Sequence, residues 1–227
     1  LRTPTYSMFP VPDYYFSTSG PAQSINSAYA WNHGYYSPNI DVTWAALAGP
    51  GVAADGVNGP QPAGGNEASD PNSTRTVPQA SGTGSYVDEV DLRPTLLHLA
   101  GLRDDYESDG AVVTDLLARP KNALRKAQPL AVAYRQLNSS VGEFATNTLI
   151  ASTNALKSGS ASDDSAYVRT EDALTRLADQ RDRLAAKIKA VLADAAAGHG
   201  VARSKVRAYS RQADALVAAA RKLAEPS

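Results

Sequence analysis

Apolar residues recur with helical spacing throughout the second half of the chain. Between residues 130 and 155 they are separated by alternating steps of four and three, which predicts one helix that begins near Pro129 and ends at Gly159. The same spacing returns after Asp163-Asp164-Ser165 and again after Gly198-His199-Gly200, two stretches that are typical of helix boundaries. The pattern from residue 120 onward therefore predicts three amphipathic helices in an antiparallel bundle or hairpin.

The first half of the chain has shorter and less regular apolar stretches. Ala45–Ala48 is continuously apolar and precedes Gly49-Pro50-Gly51, which predicts a strand covered on both faces. Residues 53–84 are rich in Gly, Pro, Ser and Asn and lack an apolar period, which predicts an inserted loop. A short helix is predicted after Asp91, which is expected to cap its first turn, and Gly101 is expected to end it.

Charge divides the chain at the same point as the hydrophobic pattern. Residues 1–119 contain 5 basic and 13 acidic residues, and residues 120–227 contain 17 basic and 10 acidic residues. The resulting net charges of -8 and +7 predict two regions with different roles. The chain has no cysteine and no apolar run of the roughly 20 residues that span a bilayer. It also begins without a signal peptide or an initiator methionine, so we expect a piece of a longer protein.

One histidine lies in a setting that suits a metal ligand. His33 stands in Trp31-Asn32-His33-Gly34, shortly before the predicted strand. Gly34 permits a close backbone approach, and the Asn32 amide can orient the imidazole ring through a hydrogen bond. Spacing alone favours a structural or exposed role for His33 over that of a metal ligand. His98, in an apolar helix, and His199, between two glycines, are expected to take no part in chemistry.

The order of several short motifs resembles the C-terminal third of the alkaline phosphatase-like superfamily. These motifs are His33-Gly34, Gly49-Pro50-Gly51-Val52, the Asp-x-x-Pro-Thr-Leu-Leu element that starts at Asp91, and Asp109-Gly110. The superfamily includes sulfatases, nucleotide pyrophosphatase/phosphodiesterases and phosphonoacetate hydrolases. The resemblance covers residues 1–119 and implies an α/β fold, namely the C-terminal part of a three-layer α/β/α domain. The all-α antiparallel bundle or hairpin of residues 120–227 would follow it.

The resemblance also implies a function. The residue that matches His33 binds one of two divalent metal ions in that superfamily, usually zinc, whereas Asp91 and Thr95 match an element that supports the fold. Asp88 falls where some relatives have a polar residue near the site. The Thr or Ser nucleophile and the other metal ligands lie upstream in relatives, so we assign no catalytic residue here. The expected function is the C-terminal part of a two-metal phosphoric-ester hydrolase of the phosphodiesterase or nucleotide pyrophosphatase type, inactive as this isolated chain.

In such an enzyme the hydroxyl attacks phosphorus, a covalent phospho-enzyme forms, and metal-bound water releases the product. The expected partners are a small-molecule phosphate ester and the N-terminal part of the same protein, with no specific nucleic acid. The resemblance favours an extracytoplasmic or secreted location. Two alternatives remain open at this point. One is a fragment of a sulfatase, and the other is a helical binding or structural module whose basic surface contacts an anionic polymer or lipid headgroups.

Overall fold

The computed structural model of this chain describes residues 45–54 and 87–225, apart from Asp104, Glu107, Val141 and residues 159–163. From Ala46 onward these residues belong to one compact unit. Among the described residues, two 3-10 turns, Glu89–Asp91 and Thr114–Leu116, accompany a short helix and four longer ones. We number the helices in chain order, as α1 (Leu92–Ala100), α2 (Asn122–Asn138), α3 (Glu143–Ser158), α4 (Ser165–Ala197) and α5 (Arg203–Ala224).

The four longer helices form the core of this unit. Each of α2, α3, α4 and α5 packs against the other three. Leu130, Leu137 and Ile188 are completely buried between them, together with the small side chains of Ala195 and Ala220. Alanine at buried positions allows the helix backbones to approach closely, although each such residue buries little apolar area.

The prediction of an α/β fold is wrong for the part of the chain that the structure describes. Within these residues there is no β-strand, and the nearest approach to a sheet is one antiparallel bridge between Val52 and Leu117. The expected strand at Ala45–Ala48 is irregular, and its three alanines are exposed. An apolar run made largely of alanine provides little area to bury, and periodicity cannot identify a strand within so short a run.

The prediction of three helices after residue 120 is also wrong in number. The helix expected from Pro129 to Gly159 is two helices, because the chain turns between Ser139 and Gly142. The first of them begins seven residues before Pro129, which lies on its exposed side. Proline there removes one hydrogen bond to a carbonyl group on the outer side of the helix, where water can replace it.

Two helix ends fall where the glycines predicted them. Gly101 follows α1 with a φ of 67°, and Gly198 follows α4 with a φ of 94°. These left-handed conformations let the N–H groups of the turn reach the last carbonyls of the helix, and glycine adopts them without a steric penalty. The predicted end of α1 and the predicted break between α4 and α5 are therefore confirmed.

Candidate functional site

A group of buried, hydrogen-bonded polar side chains surrounds the start of α1. Asp91 and Thr95 are four residues apart, which places both on one side of the helix, and their side chains are 1% and 0% exposed. Asp91 Oδ1 accepts the N–H of Ala111 at 2.7 Å, and Thr95 Oγ1 accepts the N–H of Val113 at 3.0 Å. The two side chains therefore fix the extended segment after Gly110 against the first turn of α1.

Two side chains from α2 and the turn after it complete this group. Arg135 is 3% exposed, and its Nε donates to Asp91 Oδ2 at 2.6 Å. Ser139 Oγ donates to Asp88 Oδ1 at 2.7 Å. We call Asp88, Asp91, Thr95, Arg135 and Ser139 the Asp91 cluster. The buried charges of Asp91 and Arg135 are tolerated because they are paired and hydrogen-bonded. Charge-assisted hydrogen bonds have a defined geometry, so the cluster fixes the start of α1 against the helical bundle.

Asp91 does not cap α1 as the sequence suggested. Its side chain makes no capping hydrogen bond to the first turn of that helix. One oxygen faces Ala111, and the other accepts from Arg135 and from the N–H of Asp88, the latter at 3.2 Å. The carboxylate is directed into the interior because it has a buried cation and two backbone donors there. Its role is to hold distant segments together.

Burial governs the titration of two groups in and beside the cluster. Burial raises the pKa of Asp88, and the nearby Asp91 carboxylate acts in the same direction, whereas Ser139 and Arg135 oppose them. Burial also raises the pKa of the Tyr134 phenol to about 12, with further contributions from Asp109 and Asp91. Tyr134 therefore stays protonated near neutral pH, and its oxygen accepts the Asn138 amide at 3.2 Å.

Gly110 permits the close packing of this region. A Cβ atom at residue 110 would lie 2.0 Å from the carbonyl oxygen of Val90 and 2.8 Å from the backbone nitrogen of Asp91. Neither atom belongs to a side chain that can rotate away. The glycine of Asp109-Gly110 is therefore required because two backbone segments approach each other beside the cluster.

A groove of about 710 Å³ lies beside the cluster. Alanines of α4 line one wall, and the polar side chains at its surface include His98, Asn138, Asp109 and Lys189. Lys189 Nζ lies 3.0 Å from Asp109 Oδ1, so these two charges compensate each other. Burial and the proximity of Lys121 lower the pKa of His98, which favours a neutral imidazole.

The structure describes two of the three histidines that the sequence singled out. His33 lies outside the described residues, as does most of the predicted loop 53–84. His98 borders the groove, and His199 is 71% exposed with its Nδ1 3.3 Å from Asp194 Oδ1. Over residues 45–54 and 87–225, with the gaps given above, no three side chains of the metal-binding types come together.

Sequence reasoning missed Arg135 and Ser139. Both belong to a region read as a continuous apolar stripe, in which Arg135 follows the buried Tyr134. The available signal was a charged residue four positions after the apolar Ala131, on the side of the helix that faces the core. Such a residue indicates a buried partner, but its identity depends on a contact 44 residues away.

No protein family, no curated protein and no solved structure matches this chain. No helix among the described residues is long and apolar enough to cross a membrane.

Proposed function

We propose that this chain is the C-terminal part of a two-metal phosphoric-ester hydrolase of the alkaline phosphatase-like superfamily. We favour the phosphodiesterase or nucleotide pyrophosphatase type, with His33 as a ligand of one of two divalent ions. Zinc suits this role, because imidazole nitrogen is one of its preferred ligands. The proposal concerns the chemistry of His33 and the role of the Asp91 element. It does not extend to an α/β arrangement of the described residues.

The organisation of the Asp91 cluster supports this proposal. Two motifs of the resemblance lie among the described residues. They are the Asp-x-x-Pro-Thr-Leu-Leu element, which contains Asp91 and Thr95, and Asp109-Gly110. Asp91 and Thr95 accept N–H groups from Ala111 and Val113, directly after Gly110. The two motifs are therefore physically connected, because side chains of the Asp91 element accept hydrogen bonds from the backbone that follows Asp109-Gly110. This fits the fold-supporting role that the resemblance implies for Asp91 and Thr95.

The described residues do not themselves fit a divalent metal ion, since no suitable group of side chains occurs among them. We therefore derive no catalytic step from them. In the proposal their contribution is structural. The buried acceptors and the Arg135 guanidinium hold the Asp91 element in place, while the metal ions would supply the activation of the nucleophile.

The test uses the natural full-length protein, with metal content measured by mass spectrometry and hydrolysis measured on bis(p-nitrophenyl) phosphate. We expect the wild type to hold divalent metal and to hydrolyse this diester. We expect His33→Ala to lose metal and at least about 100-fold in activity, because even residues that only orient metal ligands contribute roughly 10- to 100-fold. His199→Ala is the matched control, since His199 is an exposed histidine.

Each outcome bears on the assignment. Metal content and diesterase activity that are unchanged in His33→Ala would remove His33 as a ligand. A wild type that hydrolyses p-nitrophenyl sulfate and not the phosphate diester would indicate a sulfatase in place of a phosphodiesterase. A wild type that binds no divalent metal and cleaves neither ester would overturn the proposal as a whole.

A further inference from the structure

The last helix carries a row of exposed positive charges. Arg203, Arg207 and Arg211 follow one another at intervals of four, and Lys222 comes eleven residues later. At 3.6 residues per turn these intervals keep the four residues on one side of α5. All four are exposed, whereas the opposite side of the helix packs into the core through Val206, Ala213, Leu216 and Ala220.

These charges are not balanced on their own helix. Helix α5 contains six basic residues and one acidic residue, Asp214. The longer α4 contains six basic and five acidic residues. Arg221 of α5 pairs with Glu143, but no ion pair involves Arg203, Arg207, Arg211 or Lys222 within the part of the chain that the structure describes. Like charges four residues apart repel each other on a helix, and an anionic partner at this surface would relieve that repulsion.

The form of this surface favours a lipid bilayer over a nucleic acid. The exposed side chains between the cations include the small Ala215 and Ala218 and one carboxylate, Asp214. The two alanines allow the helix to lie close to a flat surface, and the four cations outnumber this carboxylate over about 28 Å from Arg203 to Lys222. Nucleic-acid strands are commonly held by aromatic side chains that stack on bases. Tyr209, the only aromatic residue of α5, packs against the core.

We propose that the exposed side of α5 binds the anionic surface of a phospholipid bilayer through Arg203, Arg207, Arg211 and Lys222. Clusters of four to eight basic residues on one helix are typical of such binding, and each charge adds to it. Because the contact is electrostatic and lies at a water-exposed surface, salt weakens it. The binding is independent of the metal chemistry proposed for His33.

The experiment measures sedimentation of the full chain with vesicles that contain phosphatidylglycerol and with pure phosphatidylcholine vesicles. The variant replaces the row with glutamine (Arg203→Gln, Arg207→Gln, Arg211→Gln, Lys222→Gln). The matched control removes the same number of exposed charges from α4 (Arg169→Gln, Arg176→Gln, Arg183→Gln, Lys187→Gln). Circular dichroism establishes that both variants keep the helical content of the wild type. The double variant Arg207→Gln, Arg211→Gln serves if the fourfold variant does not fold.

We expect the wild type to bind the phosphatidylglycerol vesicles and not the phosphatidylcholine vesicles, with binding lost at about 0.5 M salt. The α5 variant should bind at least about tenfold more weakly, because four charges near the surface are removed. The α4 control should retain most of the binding. Equal losses in both variants, no vesicle binding by the wild type, or preferential binding of single-stranded DNA over the vesicles would each overturn the proposal.

Discussion

Removal of the Arg135 guanidinium should strongly destabilise the fold. Arg135 and Asp91 are 3% and 1% exposed, and Nε lies 2.6 Å from Oδ2. In Arg135→Met the Asp91 carboxylate stays buried and retains only the backbone donors of Ala111 and Asp88. Removing one member of a buried ion pair costs about 3–5 kcal/mol, because the other charge is left without compensation. We expect a decrease of that size in the free energy of unfolding.

Urea unfolding followed by circular dichroism measures this effect. Three further variants define its origin: Arg125→Met, the single variant Asp91→Asn and the double variant that combines Asp91→Asn with Arg135→Met. Arg125→Met is the matched control, since Arg125 is an exposed arginine on the same helix, and its loss should stay within about 0.5 kcal/mol. In the double variant Asp91→Asn, Arg135→Met both charges are absent. Its loss should be smaller than the sum of the two single losses by about 2 kcal/mol or more, because the residues are in direct contact.

Two results would refute this reasoning. One is a loss in Arg135→Met that is no larger than the loss in Arg125→Met, which would mean that the buried pair contributes nothing measurable. The other is additivity of the two single variants, which would mean that Asp91 and Arg135 act independently despite their contact. Either result would also remove the Asp91 cluster as the link between α1 and the bundle.

Two more substitutions test the surroundings of the cluster. Burial raises the pKa of Asp88 above 3.8, so the folded state binds the proton of this carboxyl group more tightly than the unfolded state does. The contribution of Asp88 to stability therefore decreases as the pH rises from 3.8 through the pKa of the folded state. Asp88→Asn keeps an oxygen for Ser139 and should be at least as stable as the wild type at neutral pH, with a weaker pH dependence in urea unfolding; a lower stability than the wild type there would contradict this. Gly110→Ala places a Cβ atom 2.0 Å from the carbonyl oxygen of Val90 and should lower the free energy of unfolding, measured by thermal unfolding, by about 1–3 kcal/mol. The control Gly200→Ala, with open space around residue 200, should leave stability nearly unchanged. Equal effects of the two substitutions would contradict the close packing at Gly110.

The break between α2 and α3 shows why helix boundaries were only partly predictable. Leu137, Val141 and Phe144 continue the apolar spacing across the turn, so the phase of the pattern gives no sign of a break. The structural requirement lies at Gly142, where a Cβ atom would be 2.6 Å from the carbonyl oxygen of Arg135. Gln136 Oε1 then accepts the N–H of Glu143 at 3.0 Å at the start of α3. Ser139-Ser140 and Gly142 were the local signals for this turn.

The sequence by itself determined the helical character of the region after residue 120, together with the helix ends at Gly101 and Gly198. These features depend on residues within one or two helical turns of each other, so the apolar periodicity and the positions of the glycines are sufficient to predict them. Only the tertiary structure decided that Asp91 faces inward to Arg135, 44 residues away, and that Ala45–Ala48 is not a strand. The physical reason is the same in both cases, because a buried charge and a strand each depend on a partner that local spacing does not specify.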